Sequence, residues 1–256
     1  MVGKRRATKG GSPRIVIGTS GWNYPAWRTD FYAGVPRKAW LAHCAARFSG
    51  LEVNGTFYRR QKPETYRRWR DETPDDFVFA VKGHRAVTHF RKLRGVSQSV
   101  AEMKRDLAPM VGKLAAVLWQ LPPSLAADSG LLADFATVLD GWVEVRHVVE
   151  FRHPSWFGED TAALLDGHRI GTAISDAVDW ARWDEVTGGI AYVRLHGANE
   201  TYVSEYGTRA LRPWASKVEA WRAAGHEVHV YFDNDAAGAA PRDALRLIRM
   251  LDDAAD

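Results

Sequence analysis

Glu150, Asp176, His196 and Asp233 each stand at or near the end of a short run of β-forming residues, and so do the cations Lys82, Arg152 and Arg194. Those residue types support two kinds of chemistry. Carboxylates with an imidazole suit a divalent cation such as Mn, Zn or Mg, which would activate water or polarise a carbonyl or phosphoryl oxygen. Guanidinium and ammonium groups suit an anion, arginine gripping a phosphate or carboxylate through two parallel bonds. The two demands conflict, because Arg152 and Arg194 share their runs with Glu150 and His196 and would repel a cation. In the metal-bound arrangement Asp176 and Asp233 are ligands, joined by Glu150 and His196. In the metal-free one Glu150 and His196 exchange protons while Lys82, Arg152 and Arg194 hold the anion. Asn54, Tyr58 and Gln120, near the ends of other runs, would orient the substrate, and the rings of Trp22 and Trp156 would wall the entrance.

Chemistry at strand ends needs a fold that gathers those ends. Eight runs rich in β-branched and aromatic residues recur, at 14–20, 50–56, 77–83, 115–121, 147–152, 169–175, 190–196 and 227–233. Patterns of helical period lie between most of them. Leu41, Cys44, Ala45 and Phe48 share one helical face, Leu132, Phe135 and Leu139 another, Trp214, Val218 and Trp221 a third, and Ala244, Leu245, Ile248 and Leu251 the last. Pro63 marks a helix start, and Ser99 with Glu102 has the spacing of a capping box. Residues 177–189 carry only a weak helical pattern, so the outer helix after the sixth strand is expected to be short or absent. Strands alternating with helices predict a parallel sheet, and eight of them predict an α/β chain folded as a single (β/α)8 TIM-type barrel over residues 14–256. The alternative, a doubly wound open sheet, lacks its Gly-x-Gly-x-x-Gly after the first strand.

Alternate residues of a barrel strand face the lumen and the helices. Apolar positions such as Leu51, Val53, Phe79, Val117, Val149, Val193 and Val230 belong against helices. That leaves Ser20, Glu52, Asn54, Tyr58, Lys82, His84, Gln120, Glu150, Arg152, Asp176, Tyr192, Arg194, His196, His229, Tyr231 and Asp233 for the lumen and its carboxyl-terminal rim, where barrel enzymes keep their sites. Charges enclosed in that number must neutralise one another, for example Glu52 and Glu150 against Arg152 and Arg194. Other chemistries fit less well. Ser20 has no Gly-x-Ser-x-Gly turn, and Cys44 lies on an apolar helix face. Glycoside hydrolysis by paired carboxylates has Glu52, Glu150, Asp176 and Asp233 to draw on. However, Gln120 and His196 end the fourth and seventh strands, where the largest group of glycosidase barrels carries its acid and nucleophile.

Hydrophobic residues make up 46% and charged residues 26% of the 256, an ordinary globular balance. No apolar run approaches the ~18 residues a membrane helix needs, so no membrane partner is expected. A single cysteine, and a charged start followed by no apolar stretch, predict a cytoplasmic setting. Lys4, Arg5, Arg6 and Lys9, with Gly10, Gly11, Ser12 and Pro13, make residues 1–13 a flexible basic tail. Setting aside those four cations and Arg14 leaves 30 basic residues against 31 acidic, so the net charge of +4 belongs to the tail. Residues 59–94 nonetheless hold eleven basic residues against five acidic, with His89 and Phe90 interleaved, and that excess makes nucleic acid an alternative partner.

Several blocks, taken in order, carry a family resemblance. They are Gly18-Thr19-Ser20-Gly21-Trp22 with Tyr24 and Trp27, Glu52-Val53-Asn54 running into Thr56-Phe57-Tyr58, Phe79-Ala80-Val81-Lys82 and Thr88-His89. Gln120-Leu121-Pro122-Pro123, Glu150-Phe151-Arg152-His153-Pro154-Ser155-Trp156, Arg194-Leu195-His196-Gly197 and Tyr231-Phe232-Asp233-Asn234-Asp235 follow. From Ile17 to about Leu247 the chain resembles the YecE-like family, domain of unknown function 72. The resemblance implies a TIM-type barrel and no settled reaction, and Asn234 in its last block joins the substrate-facing set. The leading expectation is an enzyme acting on a small anionic, phosphate-bearing or polyhydroxylated substrate, by acid–base or metal-assisted hydrolysis or isomerisation. The alternatives are a nucleic-acid-binding or processing barrel and a non-catalytic ligand-binding barrel.

Overall fold

In the computed structural model, residues 13–254 are described. The expected tail lies outside them except for Pro13. Eight parallel strands form one sheet: β1 (Ile15–Thr19), β2 (Gly50–Val53), β3 (Val78–Lys82), β4 (Leu114–Gln120), β5 (Arg146–Glu150), β6 (Gly171–Asp176), β7 (Ile190–Leu195) and β8 (Glu227–Phe232). From β2 to β8 each pairs with the next in sequence, and β8 pairs with β1. Between β1 and β2 the ring is closed by a bridge at Ser20 and Glu52 and by the Gly21 N–H donating to the Glu52 carbonyl at 2.7 Å. This seam is tight: a Cβ on Gly18 would fall 1.8 Å from the Gly50 carbonyl oxygen. The result is a nearly closed (β/α)8 barrel.

Helices α1 (Trp40–Ala45), α2 (Gly55–Tyr58), α3 (Pro63–Asp71), α4 (Ser97–Leu107), α5 (Ser129–Asp140), α6 (Glu159–Gly167), α7 (Gly207–Ala223) and α8 (Ala239–Asp252) surround it. No helix joins β6 to β7, as the weak pattern there predicted. Pro63 does open α3, and the Asp128 carboxylate caps α5 by accepting from the Leu131 N–H at 2.9 Å. The capping box at Ser99 and Glu102 does not form. The N-cap position falls at buried Val96, so α4 begins three residues earlier, and Glu102 instead pairs with Arg60 at 2.7 Å. Among the described residues no helix is long and apolar enough to cross a membrane.

Strand parity sorts the core into two layers. Leu51, Val53, Phe79, Val117, Val149, Val193 and Val230 pack outward against the helices. Val16, Val78, Ala80, Ala116, Leu118 and Val148 fill the lumen, joined by Tyr192 and Tyr231. Each of these larger side chains contributes roughly 1.5–3 kcal/mol by leaving water. The small lumen residues of β3 and β4 leave width for charged side chains nearer the rim. Strand 2 stops earlier than its sequence pattern suggests. Asn54 turns into α2, and the Thr56 hydroxyl secures that turn by donating to the Val53 and Lys82 carbonyls at 3.0 and 2.7 Å.

Candidate functional site

Arg194 on β7 is wholly enclosed, and each of its five guanidinium hydrogens has an acceptor. Nε donates to Glu52 at 3.1 Å, and Nη2 donates to Glu52 Oε1 at 2.8 Å and Asp233 Oδ2 at 2.9 Å. Nη1 donates to Glu150 Oε2 and to His196 Nε2, both at 3.0 Å. A guanidinium cannot accept, so His196 Nε2 is the bare nitrogen and Nδ1 carries the proton, 3.3 Å from the Asp176 carbonyl oxygen. Burial and the Arg194 charge hold the imidazole pKa well below its ordinary value.

Three carboxylates thus share one cation, in different surroundings. Glu52 Oε1 accepts from the Ser20 hydroxyl and Oε2 from the Tyr192 hydroxyl, each at 2.6 Å. Glu150 Oε1 accepts from Arg152 Nη1 at 2.9 Å and Gln120 Nε2 at 3.0 Å. Burial alone would raise the Glu150 pKa, but Arg194, Arg152 and Lys82 together hold it well below the usual carboxylate range. Asp233 Oδ1 accepts only from Asn54 Nδ2, at 3.2 Å. Burial, reinforced by the Glu52 charge and only partly offset by Arg194, pushes its pKa up to about 7.

Several polar groups of the rim lack partners, Asn234 Oδ1 and Ser175 Oγ among them, and two stand beside the Arg194 cluster. Lys82 is 8% exposed, its ammonium 4.6 Å from the centre of the Phe57 ring. Among the described residues it has neither a hydrogen-bond acceptor nor a carboxylate within ion-pair range. Burial and Arg194 lower its pKa against the opposing pull of Glu150, Glu52 and Asp233. On the neighbouring strand's end, Asn54 Oδ1 is buried without a donor. A cover of rings lies over the other side. Trp180, in the helix-free segment between β6 and β7, sits with its ring centre 3.1 Å from the Arg152 guanidinium carbon and 4.5 Å from the His196 ring. Tyr202 places its ring 5.6 Å from His196, on backbone at φ 68°.

The structure therefore brings together Lys82, Gln120, Glu150, Arg152, Arg194, His196, Asp233 and Asn54 from the residues singled out in sequence. Others stand elsewhere. Asp176 alternates with Ser175, the register partner of Arg194, and so points away from the lumen, where its oxygens accept from Arg182 Nη1 and the Tyr206 hydroxyl, each at 2.7 Å. Tyr58 is 63% exposed because α2 ends the strand parity before reaching it. Trp156 is packing: it is enclosed against Phe151 at 5.0 Å and its indole N–H donates to the Leu125 carbonyl. Trp22 rests edge-on against Trp69 at 5.2 Å and helps line a cavity of about 300 Å³ that reaches Asn54. Asn234 ties β8 to α8 by donating to Asp243 at 3.0 Å. His153 accepts from the Ser155 N–H, a local cap.

The metal arrangement read from the sequence is not assembled. Asp176 faces away, and Glu150, His196 and Asp233 each turn an acceptor to the Arg194 cation. Among the described residues no group of three His, Cys, Asp or Glu side chains is set to hold a metal. Sequence reasoning also missed two residues of the cover, Trp180 and Tyr202. Their only signal was aromatic residues in segments without periodicity.

A (β/α)8 barrel with a buried, fully paired arginine at its carboxyl-terminal rim is the class these features define. The family model described as "Protein of unknown function DUF72" matches residues 16–256, and the chain belongs to that family. It is 32% identical to the UPF0759 protein YecE of Escherichia coli K12 over 156 residues, 60% of this chain and about half (54%) of that protein's length. It is 25% identical to the UPF0759 protein YunF of Bacillus subtilis 168, across 93% of this chain and 95% of the other. The crystal structure of a DUF72 family protein from Thermotoga maritima superposes with a TM-score of 0.83 at 25% identity, covering 93% of this chain and 99% of that one.

Proposed function

We propose that the rim is an acid–base site for a small substrate bearing an anionic group and hydroxyls, which it hydrolyses or isomerises. The observation that carries this reading is a lysine without an oxygen partner, Lys82 over the Phe57 ring, beside the buried, donorless Asn54 carbonyl oxygen and a cluster whose central charge is fully paired. Buried polar atoms in folded proteins almost always have partners, and exceptions mark places where something else binds. Arg152 takes the anion beside Lys82, and Asn54 Oδ1 accepts from a substrate hydroxyl. Asp233 moves the proton, since a general acid–base works best with a pKa near the operating pH. Glu150 remains ionised and His196 has both nitrogens engaged, so they hold Arg194 and Arg152 in place. Gln120 does the same for Glu150. A cytoplasmic setting is part of the proposal, supported by the single cysteine.

Thermal-shift and calorimetric titrations with inorganic phosphate and a panel of phosphorylated and carboxylated sugars test it. At least one anion should stabilise the protein, and Arg152→Ala should weaken its binding about tenfold. Turnover of a panel member should vanish in Asp233→Asn. Absence of any anion effect, or undiminished binding in Arg152→Ala, would overturn the assignment.

A further inference from the structure

We propose that Lys82 is a covalent site for carbonyl compounds, its Nζ adding to an aldehyde or ketone to form a protonated imine at the barrel mouth. This deepens the reading of the rim as an acid–base site and rests on it, naming the substrate class as a small carbonyl compound that also carries an anionic group.

The geometry separates Lys82 from the other cations. Arg194 spends every N–H on a carboxylate or imidazole, and Arg152 is held between Glu150 and the face of Trp180. Lys82 is the cation of the cluster left without an oxygen partner, enclosed to all but 8% of its surface. A lysine kept only to balance charge would sit on one of the three carboxylates, whereas its ammonium lies over the apolar ring of Phe57. A nucleophilic amine must be neutral, and desolvation beside another cation supplies that condition. Burial and Arg194 act on Lys82 in that direction. The Phe57 ring then faces an iminium as readily as an ammonium.

Atoms balance with the groups present. The Nζ lone pair forms the C–N bond as the carbonyl π electrons move to oxygen. The protonated Asp233 carboxyl gives its proton to that oxygen, and the carboxylate so formed takes a proton from nitrogen, giving a neutral carbinolamine and a carboxyl once more. The proton regained by Asp233 then goes to the hydroxyl, which leaves as water with its bonding pair. The nitrogen lone pair closes the C=N⁺ bond, leaving Asp233 ionised.

Glyoxylate, an anionic aldehyde, and sodium cyanoborohydride at pH 7 form the test, applied to the full chain and read by intact mass and peptide mapping. An ordinary lysine is only about 0.04% neutral at pH 7. Lys82 should therefore label at least tenfold faster than the exposed Lys38, Lys62 and Lys92, with one adduct per chain. In Lys82→Arg that adduct should disappear at unchanged melting temperature, and in Asp233→Asn labelling should slow about tenfold. Labelling of Lys82 no faster than of the exposed lysines would overturn the inference. If glyoxylate or phosphate still stabilises the protein through Arg152 in that event, the imine falls and the anion site stands. Selective labelling that persists undiminished in Arg152→Ala would uphold the lysine and remove the anion site.

Discussion

Asp233 and Glu150 accept from the same guanidinium, yet they end on opposite sides of neutrality. Glu150 faces Arg152 and Lys82 as well as Arg194, and its negative charge is secured. Asp233 has one guanidinium bond, an amide and the nearby charge of Glu52, so burial dominates and its pKa rises to about 7. Infrared difference spectra should accordingly show a protonated carboxyl band that titrates with a midpoint near pH 7 and is missing in Asp233→Asn. A carboxyl fully ionised down to pH 5 would remove Asp233 from the proton-transfer role. Arg194 gives the complementary case. Replacing it by Met leaves Glu52, Glu150 and Asp233 enclosed without their common cation, a loss of roughly 3–5 kcal/mol in urea unfolding at pH 7. Lowering the pH to 5 should restore part of that loss as the unpaired carboxylates take up protons. A uniform penalty at both pH values would mean that packing, rather than charge, sets the cost.

At the scale of elements, the seam between β1 and β2 depends on two backbones approaching where one lacks a side chain. Gly18→Ala would drive a methyl group into the Gly50 carbonyl, and neither strand can retreat without loosening the Ser20–Glu52 bridge beneath the charged cluster. The expected cost is about 3 kcal/mol, read from denaturant midpoints, with the Arg194 contacts disturbed as well. A loss below 1 kcal/mol would show that the seam breathes. Strand periodicity made this architecture legible beforehand, because a barrel strand buried on both faces must segregate charge to one parity. The count that sends Arg194 and Glu150 inward also sends Asp176 outward with Leu195, once Ala173 and Ser175 are taken as the inward pair. Its place on the rim rests, in sequence, on its position at a strand end and not on parity counted along the sixth strand. Tyr58 illustrates a different limit: alternation stops meaning anything at Asn54, where hydrogen bonds from Thr56 convert strand to helix. Trp180 had no periodicity to place it at all, since it sits in the crossover that lacks a helix.

Across the whole molecule two buried groups, one near each end of the barrel, respond to acid in opposite senses. Near the amino-terminal end, by a cavity of about 440 Å³ remote from the rim, His147 accepts from the Trp119 indole N–H at 3.2 Å and donates to the Trp142 carbonyl at 2.9 Å. Both bonds require the neutral ring, and burial lowers its pKa to about 4. An unfolded chain with an ordinary histidine, pKa about 6.5, takes up a proton that the fold refuses. This contribution to stability is complete above pH 6.5 and is lost as the pH falls toward 4. Asp233 has the reverse sign: its native pKa lies above the unfolded value, so the folded state holds the extra proton and gains stability as the pH falls from 7 toward 4. In the wild-type profile the Asp233 term opposes that of His147, while buried His196, its pKa also held down, acts in the same sense as His147. His147→Gln keeps an acceptor toward Trp119 and a donor toward Trp142 but cannot titrate. Urea unfolding at pH 7 and pH 4.5 should show the wild type losing about 2 kcal/mol more than this variant over the interval. In an Asp233→Asn background the wild-type histidine should make the acid loss steeper, because the compensating carboxyl is gone. Equal pH dependence in wild type and His147→Gln would mean the histidine carries its charge inside the fold, and the neutral ring bonded to Trp119 and Trp142 would have to be abandoned.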